Sequence, residues 1–443
     1  MQKVARLPIN VGVSGWNAIL EAPAPAVQLK ADVDADYAIV GGGFAGLAAA
    51  RRLHQLQPEA RIVLLEANRI GEGPAGRNSG FMVDLPHDLT SNDYSTTHEN
   101  DLKQIRLNRQ AIEFAAQMAA EYELPQEAFD QCGKVNGAAH DKAIAYNETY
   151  AAHLKSLGEK FEMLDAAAMK RLTGSDFYKS GLRAPGTAVI QPAQYVRGLA
   201  KGLGKDVSIF ENSAVTAFHY DDGKWELETA KGRVHAAKVI LATNGHVESF
   251  GHFKRKLVHI MLFGSMTRAL SAEEAALTGE ARWGITPSEP AATTMRKIDG
   301  IGGTRIITRN CISYSPELSV PNSRLDSVKP VHEASFLRRY PELAHVEQEY
   351  TWAGRLCLSR NGVSAFGEIA PGLYSACCQN GLGVARGTLS GMAVAELVFG
   401  EITERVEAFL AEESLLGLPP KPLDRIGAPI VMRWAEFRAR KEF

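Results

Sequence analysis

The stretch from Asp36 to Glu66, DYAIVGGGFAGLAAARRLHQLQPEARIVLLE, constrains this chain more than any other. Tyr37 to Val40 reads as a short buried strand, and Gly41, Gly43 and Gly46 follow it as G-x-G-x-x-G. Ala45 to Leu56 is a good helix former with no Pro and a single early Gly, Pro58 ends it, and Arg61 to Leu65 reads as a second strand closed by Glu66. Strand, glycine turn, helix, strand and acid stand in the order of a dinucleotide-binding unit. Gly41 permits the sharp turn, Gly43 lets the backbone approach a pyrophosphate, and Gly46 lets the helix pack on the strand. Free N–H groups and the helix dipole hold the phosphate charge. Glu66, with Ala67 beside it, is expected at the ribose of an adenosine.

The whole chain, with 443 residues, has the size for two or three domains. A net charge of −2 gives no field that would gather nucleic acid or an anionic membrane over the whole surface. Tyr37 to Ala50 is the longest apolar run and is too short to span a bilayer. Cys132, Cys311, Cys357, Cys377 and Cys378 lack C-x-x-C spacing, so a cytoplasmic protein with free thiols is expected. The histidines lack metal-ligand spacing and no G-x-S-x-G is present, so neither a metal site nor a hydrolase triad is expected.

Residues 1–30 form a leader with Trp16 as its anchor. Ile70–Met82, IGEGPAGRNSGFM, is a glycine-rich loop directly after the ribose-binding strand, which points to ligand contact. His98 to Leu124 reads as an amphipathic helix, 141–172 as further helix, Ala188–Ile190 as a strand and Pro192 to Leu203 as a helix. Residues 207–247 read as a β-meander ending in the buried strand Lys238–Leu241 and the small residues Ala242-Thr243-Asn244-Gly245. Thr304 to Asn310 reads as a strand whose period of two puts Arg305, Ile307 and Arg309 on one face, with Tyr314 shortly after. They are either solvent-facing or a cavity wall that meets a carboxylate. A second glycine block runs from Tyr350 to Gly400, with a turn at Gly381-Leu382-Gly383-Val384 before an alanine-rich helix. The basic stretch Met432 to Lys441 reads as a solvated surface helix in a tail, 401–443.

Four blocks carry a family likeness: Ser14-Gly15-Trp16, the run Gly71 to Gly80, Trp352-Ala353-Gly354 with Ala365-Phe366-Gly367, and Gly381 to Val384. On these the chain resembles FAD-dependent amine and amino acid oxidases of the D-amino acid oxidase/glycine oxidase superfamily, and γ-glutamylputrescine oxidase-like proteins within it. The resemblance implies a mixed α/β fold. A discontinuous Rossmann-like FAD domain (31–90, 180–250 and 350–400) would combine with a β-sheet substrate domain (91–179 and 251–349). It implies FAD contacts at Gly41, Gly43, Ala45, Gly46, Glu66, Ala67, Arg77, Asn78, Ser79, Val215, Ala242, Thr243, Gly381, Leu382, Gly383 and Val384. Arg305, Arg309 and Tyr314 become the substrate-orienting candidates. The implied activity is oxidation of a C–N bond by hydride transfer to flavin, with dioxygen or another acceptor taking the electrons. The last turn reads Cys378-Gln379-Asn380-Gly381-Leu382-Gly383, where family members often have Phe-Ser-Gly-His-Gly, which leaves the substrate open. Cys357 falls about one residue from where some relatives attach FAD, so non-covalent binding is expected. A nicotinamide-dependent dehydrogenase or a non-catalytic flavoprotein are the competing classes.

Overall fold

The computed structural model describes residues 1–86, 96–289 and 291–443. Two sheets organise it. The first has a parallel centre in the order Ser208–Phe210, Ile62–Leu65, Val33–Val40, Arg233–Leu241 and Leu373–Cys377. The central strands are apolar where core residues cover both faces, at Ala38–Val40, Ile62–Leu65 and Val239–Leu241. The meander strands Ala217–Asp221 and Lys224–Glu228 pair antiparallel with each other and with the first half of Arg233–Leu241, and Ala365–Ala370 pairs antiparallel with Leu373–Cys377.

Helix Phe44–Leu56 packs directly on this sheet. A Cβ at Gly46 would stand 1.9 Å from the Gly41 carbonyl oxygen, so only glycine permits the approach. Helix Ala385–Phe399 lies across it on the same side. A Cβ at Gly391 would meet the Ala45 carbonyl oxygen at 2.3 Å, and one at Gly387 the Phe44 Cβ at 3.2 Å. The two glycine-led helices therefore start side by side.

The second sheet runs Gln348–Ser359, Leu257–Thr267, Arg305–Tyr314, Thr294–Ile298, Trp283–Pro287, Lys134–Ala138, Ser180–Ala184 and Glu162–Asp165. It is antiparallel except where Trp283–Pro287 runs parallel to Lys134–Ala138. Two strands expected in the FAD domain belong here: Ser180–Ala184 pairs with Lys134–Ala138, and Gln348–Ser359 with Leu257–Thr267. Backbone pairing across the chain decides their sheet, and neither strand's own sequence encodes its partner.

The 141–172 stretch is not one helical run. Helix Asp141–Ser156 ends before Gly158 at φ +73°, and strand Glu162–Asp165 intervenes before helix Ala166–Thr173. The expected solvated tail is also different. Helix Leu423–Arg438 packs against strand Arg305–Tyr314, with Glu436 Oε1 accepting the Ile312 N–H at 2.7 Å. Among the described residues no helix is long and apolar enough to cross a membrane.

Candidate functional site

A cavity of about 680 Å³ runs between the two sheets. At one end it is lined by Gly41 to Ala45, Glu66 to Arg69, Val215, Ala242 to His246 and Gly381 to Val384. The two glycine turns, some 340 residues apart in sequence, thus face one space.

Each turn leaves room. A Cβ at Gly43 would meet only the Ala75 Cβ, at 3.7 Å, and one at Gly383 would meet nothing within 4 Å. Gly43 has φ −90°, so its backbone does not require glycine. What these positions keep open is the cavity beside two helix N-termini. Neither helix has a side-chain cap, since Gly43 and Val384 occupy the N-cap positions. The first-turn N–H groups of Phe44–Leu56 are therefore available to an anion, whereas in the second helix Arg386 and Gly387 already donate to the Leu382 and Gly383 carbonyls at 2.9 and 3.2 Å.

Glu66 closes the far side of this end. Its Oε2 accepts from the Gly42 N–H at 2.8 Å and its Oε1 from the Asn68 N–H at 3.0 Å. Burial pushes its carboxyl pKa up, and those two N–H bonds oppose the shift. Two lone pairs remain for hydroxyl donors. Gln379, just before the second turn, donates to the Ala376 carbonyl and Ser390 Oγ, each at 3.0 Å. Its buried Oε1 has no protein partner among the described residues and lines the cavity, where a ligand N–H would satisfy it.

The loop from Gly73 to Gly80 lines the middle of the cavity. Its side chains hold the loop in shape. Arg77 donates to the carbonyls of Glu72 (2.6 Å), Gly12 (3.0 Å), Val11 (3.1 Å) and Ala353 (3.1 Å). With its guanidinium occupied in this way, Arg77 buckles leader, loop and second sheet together. Burial lowers its pKa to about 10. Asn78 Oδ1 accepts the Gly80 N–H at 2.8 Å while its Nδ2 donates to the Ala75 carbonyl at 2.7 Å. Below the loop, Arg296 donates to the Ser79 and Ile190 carbonyls at 2.8 and 2.7 Å. Its guanidinium stacks 5.0 Å from the Trp16 ring, so the leader tryptophan is the anchor expected of it.

Of the sixteen expected cofactor positions, all but Gly46 line the cavity, and Gly46 acts through helix packing. The three substrate candidates divide. Arg309 lines the cavity beside Ile307. Arg305 lies further along the strand, paired with Glu349 and donating to the Thr267 carbonyl at 2.7 Å and the Gly302 carbonyl at 2.8 Å. Tyr314 follows a bulge, where Cys311 takes φ +61° and the register against Leu262 and Phe263 shifts. Its hydroxyl points to Asp424, at 3.5 Å. Neither Arg305 nor Tyr314 lines the cavity.

Arg309 sits between Gly264 and Thr294 on the neighbouring strands, and Ile260, Leu262, Phe263, Ile307, Ile312, Leu318 and Met432 also line the cavity. Glu66 is the one carboxylate among the described lining residues.

Three residues here escaped sequence reasoning. His246 lines the cavity with a buried Nε2 that has no partner among the described residues. Burial, and then the Arg355 charge, lower its pKa to about 3, so it is a neutral imidazole. Its place directly after Ala242–Gly245 was the available signal. Lys134 is fully buried behind the cavity residue Thr286. It donates to Thr286 Oγ1 at 3.0 Å and to Asn136, and burial lowers its pKa to about 8. Met432 comes from the last helix. Cys357, the possible attachment point, also lines the cavity. Its thiol hydrogen-bonds Cys378, and with burial this pushes its pKa well above the usual thiol value.

A sheet carrying G-x-G-x-x-G, joined to a second sheet across a cleft of this size, defines a dinucleotide-dependent oxidoreductase fold. The chain belongs to the FAD dependent oxidoreductase family known as DAO, whose model matches residues 36–397. It is 27% identical over 404 residues to a probable oxidoreductase, OrdL, of Haemophilus influenzae, covering 87% of this chain and 86% of that protein. It is 26% identical over 394 residues to the gamma-glutamylputrescine oxidoreductase of Escherichia coli, covering 87% and 88%. In structure it is similar to glycine oxidase from Geobacillus kaustophilus, with a TM-score of 0.69 at 17% identity over 86% of this chain and 98% of that one. L-proline dehydrogenase from P. horikoshii gives 0.67 at 17% identity over 86% and 97%. The mixed α/β fold expected from the sequence is this fold, and the nicotinamide-dependent alternative is set aside by the family.

Proposed function

We propose that the protein oxidises the C–N bond of a small amine that carries a carboxylate, an amino acid or an N-substituted one. FAD, held non-covalently between the two glycine turns, would supply the acceptor for the hydride lost from the carbon bearing the amine, with dioxygen as the final acceptor and H₂O₂ as product.

The observation that carries this reading is the wall containing Arg309. Arg309 lines the cavity, and a guanidinium can meet a carboxylate with two hydrogen bonds. No carboxylate on that wall, among the described residues, would hold an ammonium. The amine would react as the free base, the form whose lone pair can assist loss of hydride. The orienting work falls to Arg309 and the surrounding aliphatic side chains. Exclusion of water falls to Phe263, Ile307, Ile312 and Met432. The raised Cys357 pKa supports non-covalent binding, since attachment through sulfur needs a thiolate. The Escherichia coli relative and the two structural neighbours are each named for substrates with a C–N bond.

The test is anaerobic loss of flavin colour against a panel of amino acids, N-methyl amino acids, polyamines and 2-hydroxy acids. Bleaching by carboxylate-bearing amines supports the proposal. Bleaching by 2-hydroxy acids alone overturns it. Release of peroxide in air then separates an oxidase from a dehydrogenase using another acceptor.

A further inference from the structure

Helix Leu423–Arg438 is amphipathic the wrong way round for a helix that only covers a core. Leu423, Ile426, Ile430, Trp434 and Phe437 are each 56–61% exposed. At 100° per residue they fall within about 80° of arc, a single outward stripe. Val431, 67% exposed, extends the stripe and also lines the cavity, so it sits at the cavity's rim. The acids of this region face the other way. Asp424 and Glu442 are buried, and Glu436 is bound to the Ile312 N–H.

The basic residues complete the pattern. The stretch 421–443 holds six Lys and Arg against three Asp and Glu, in a chain of net charge −2. On the same helical wheel Arg433 and Arg438 flank the apolar stripe on either side. Both are exposed, and neither forms an ion pair among the described residues. An apolar stripe with Trp and Phe, bordered by unpaired arginines and cleared of acids, is the surface that lies flat in a lipid interface. The long arginine side chains can reach phosphate head groups while the stripe enters the acyl boundary.

We propose that this helix docks the enzyme on an anionic lipid surface, with the cavity rim turned toward the bilayer. Charge decides against a second copy as occupant. Twofold pairing of the stripe sets like ends together. An antiparallel pair would bring Lys421 of one copy against Arg438, Arg440 and Lys441 of the other. Anionic lipid complements the same charges. The absence of a spanning helix among the described residues makes the binding peripheral.

The experiment is flotation of the full-length FAD-loaded enzyme with vesicles of phosphatidylcholine alone or mixed with phosphatidylglycerol. Co-flotation with the anionic vesicles, at least tenfold above the zwitterionic ones and weakened by salt, is expected. I430E/W434E should lose flotation with unchanged melting temperature and flavin content, because both side chains are exposed and neither lines the cavity. R433E/R438E should lose the preference for anionic lipid. No flotation at low salt, or equal flotation of I430E/W434E, overturns the proposal. A concentration-dependent dimer that I430E/W434E dissociates, without vesicle binding, overturns it in favour of a second copy.

Discussion

Replacing Gly391 by Ala tests whether the two glycine turns work as one site. The added Cβ would stand 2.3 Å from the Ala45 carbonyl oxygen and 2.8 Å from the Ala48 Cβ. Heavy-atom contacts settle near 3.5 Å, so helix Ala385–Phe399 must retreat about 1 Å from helix Phe44–Leu56. The obstacle is helix backbone, the Ala45 carbonyl, and cannot rotate away. Overpacking of this kind costs about 1–3 kcal/mol. Both helices begin at the cavity, so the retreat moves the Gly381–Val384 turn away from the free N–H groups that open helix Phe44–Leu56. If that cost falls on binding, FAD affinity weakens about 5- to 150-fold, at 1.4 kcal/mol per tenfold. The assay is titration of the flavin-stripped protein with FAD, followed by quenching of flavin fluorescence, with melting temperature measured alongside. Gly427→Ala is the control, because a Cβ there meets nothing within 4 Å. An unchanged Kd and melting temperature in Gly391→Ala would refute the reasoning.

Arg309→Ala should raise KM for a carboxylate-bearing substrate about 10- to 100-fold, the loss of one charged hydrogen-bonding partner, with a smaller effect on kcat; Arg305→Ala, outside the cavity, should leave KM nearly unchanged in the same steady-state assay. The value of kcat/KM should rise with pH as the substrate amine deprotonates. His246, at about 3, does not titrate in that range, but Lys134, at about 8, does. In Lys134→Met the rise should therefore persist and should move with the pKa of the amine offered; a rise that vanishes in this variant would assign it to the enzyme. Acid precipitation should release all the flavin into the supernatant, and Cys357→Ala should retain flavin, whereas colour that stays with the precipitate would show a covalent link.

How much was legible follows from how local each requirement is. The unit from Tyr37 to Glu66 could be read because a pyrophosphate cradle needs glycine at fixed spacing within a single turn. Gly381 to Val384 could be read because a glycine turn that opens a helix is likewise a local pattern. The pairing of Ser180–Ala184 and Gln348–Ser359 could not, because strand partners are set by distant backbone. Arg305 shares the strand and face of Arg309, yet Glu349, far along the chain, occupies it. Tyr314 has the opposite parity to Arg309 in the sequence, and the bulge at Cys311 that puts both opposite alternate residues of Leu257–Thr267 has no period-two signature. In the last helix the charges drew the reading toward a solvated face. The apolar residues between them, spaced three and four apart, carried the other half of the signal.

The most direct measurement is FAD affinity of Gly43→Ala and Gly383→Ala beside the melting temperature of each flavin-free protein. In the protein alone an added methyl at either position meets nothing closer than 3.7 Å. The account predicts that both flavin-free variants melt like the parent and that both bind FAD at least tenfold more weakly, since each methyl fills the cradle. Undiminished FAD binding by either variant would contradict the claim that the two turns hold one flavin.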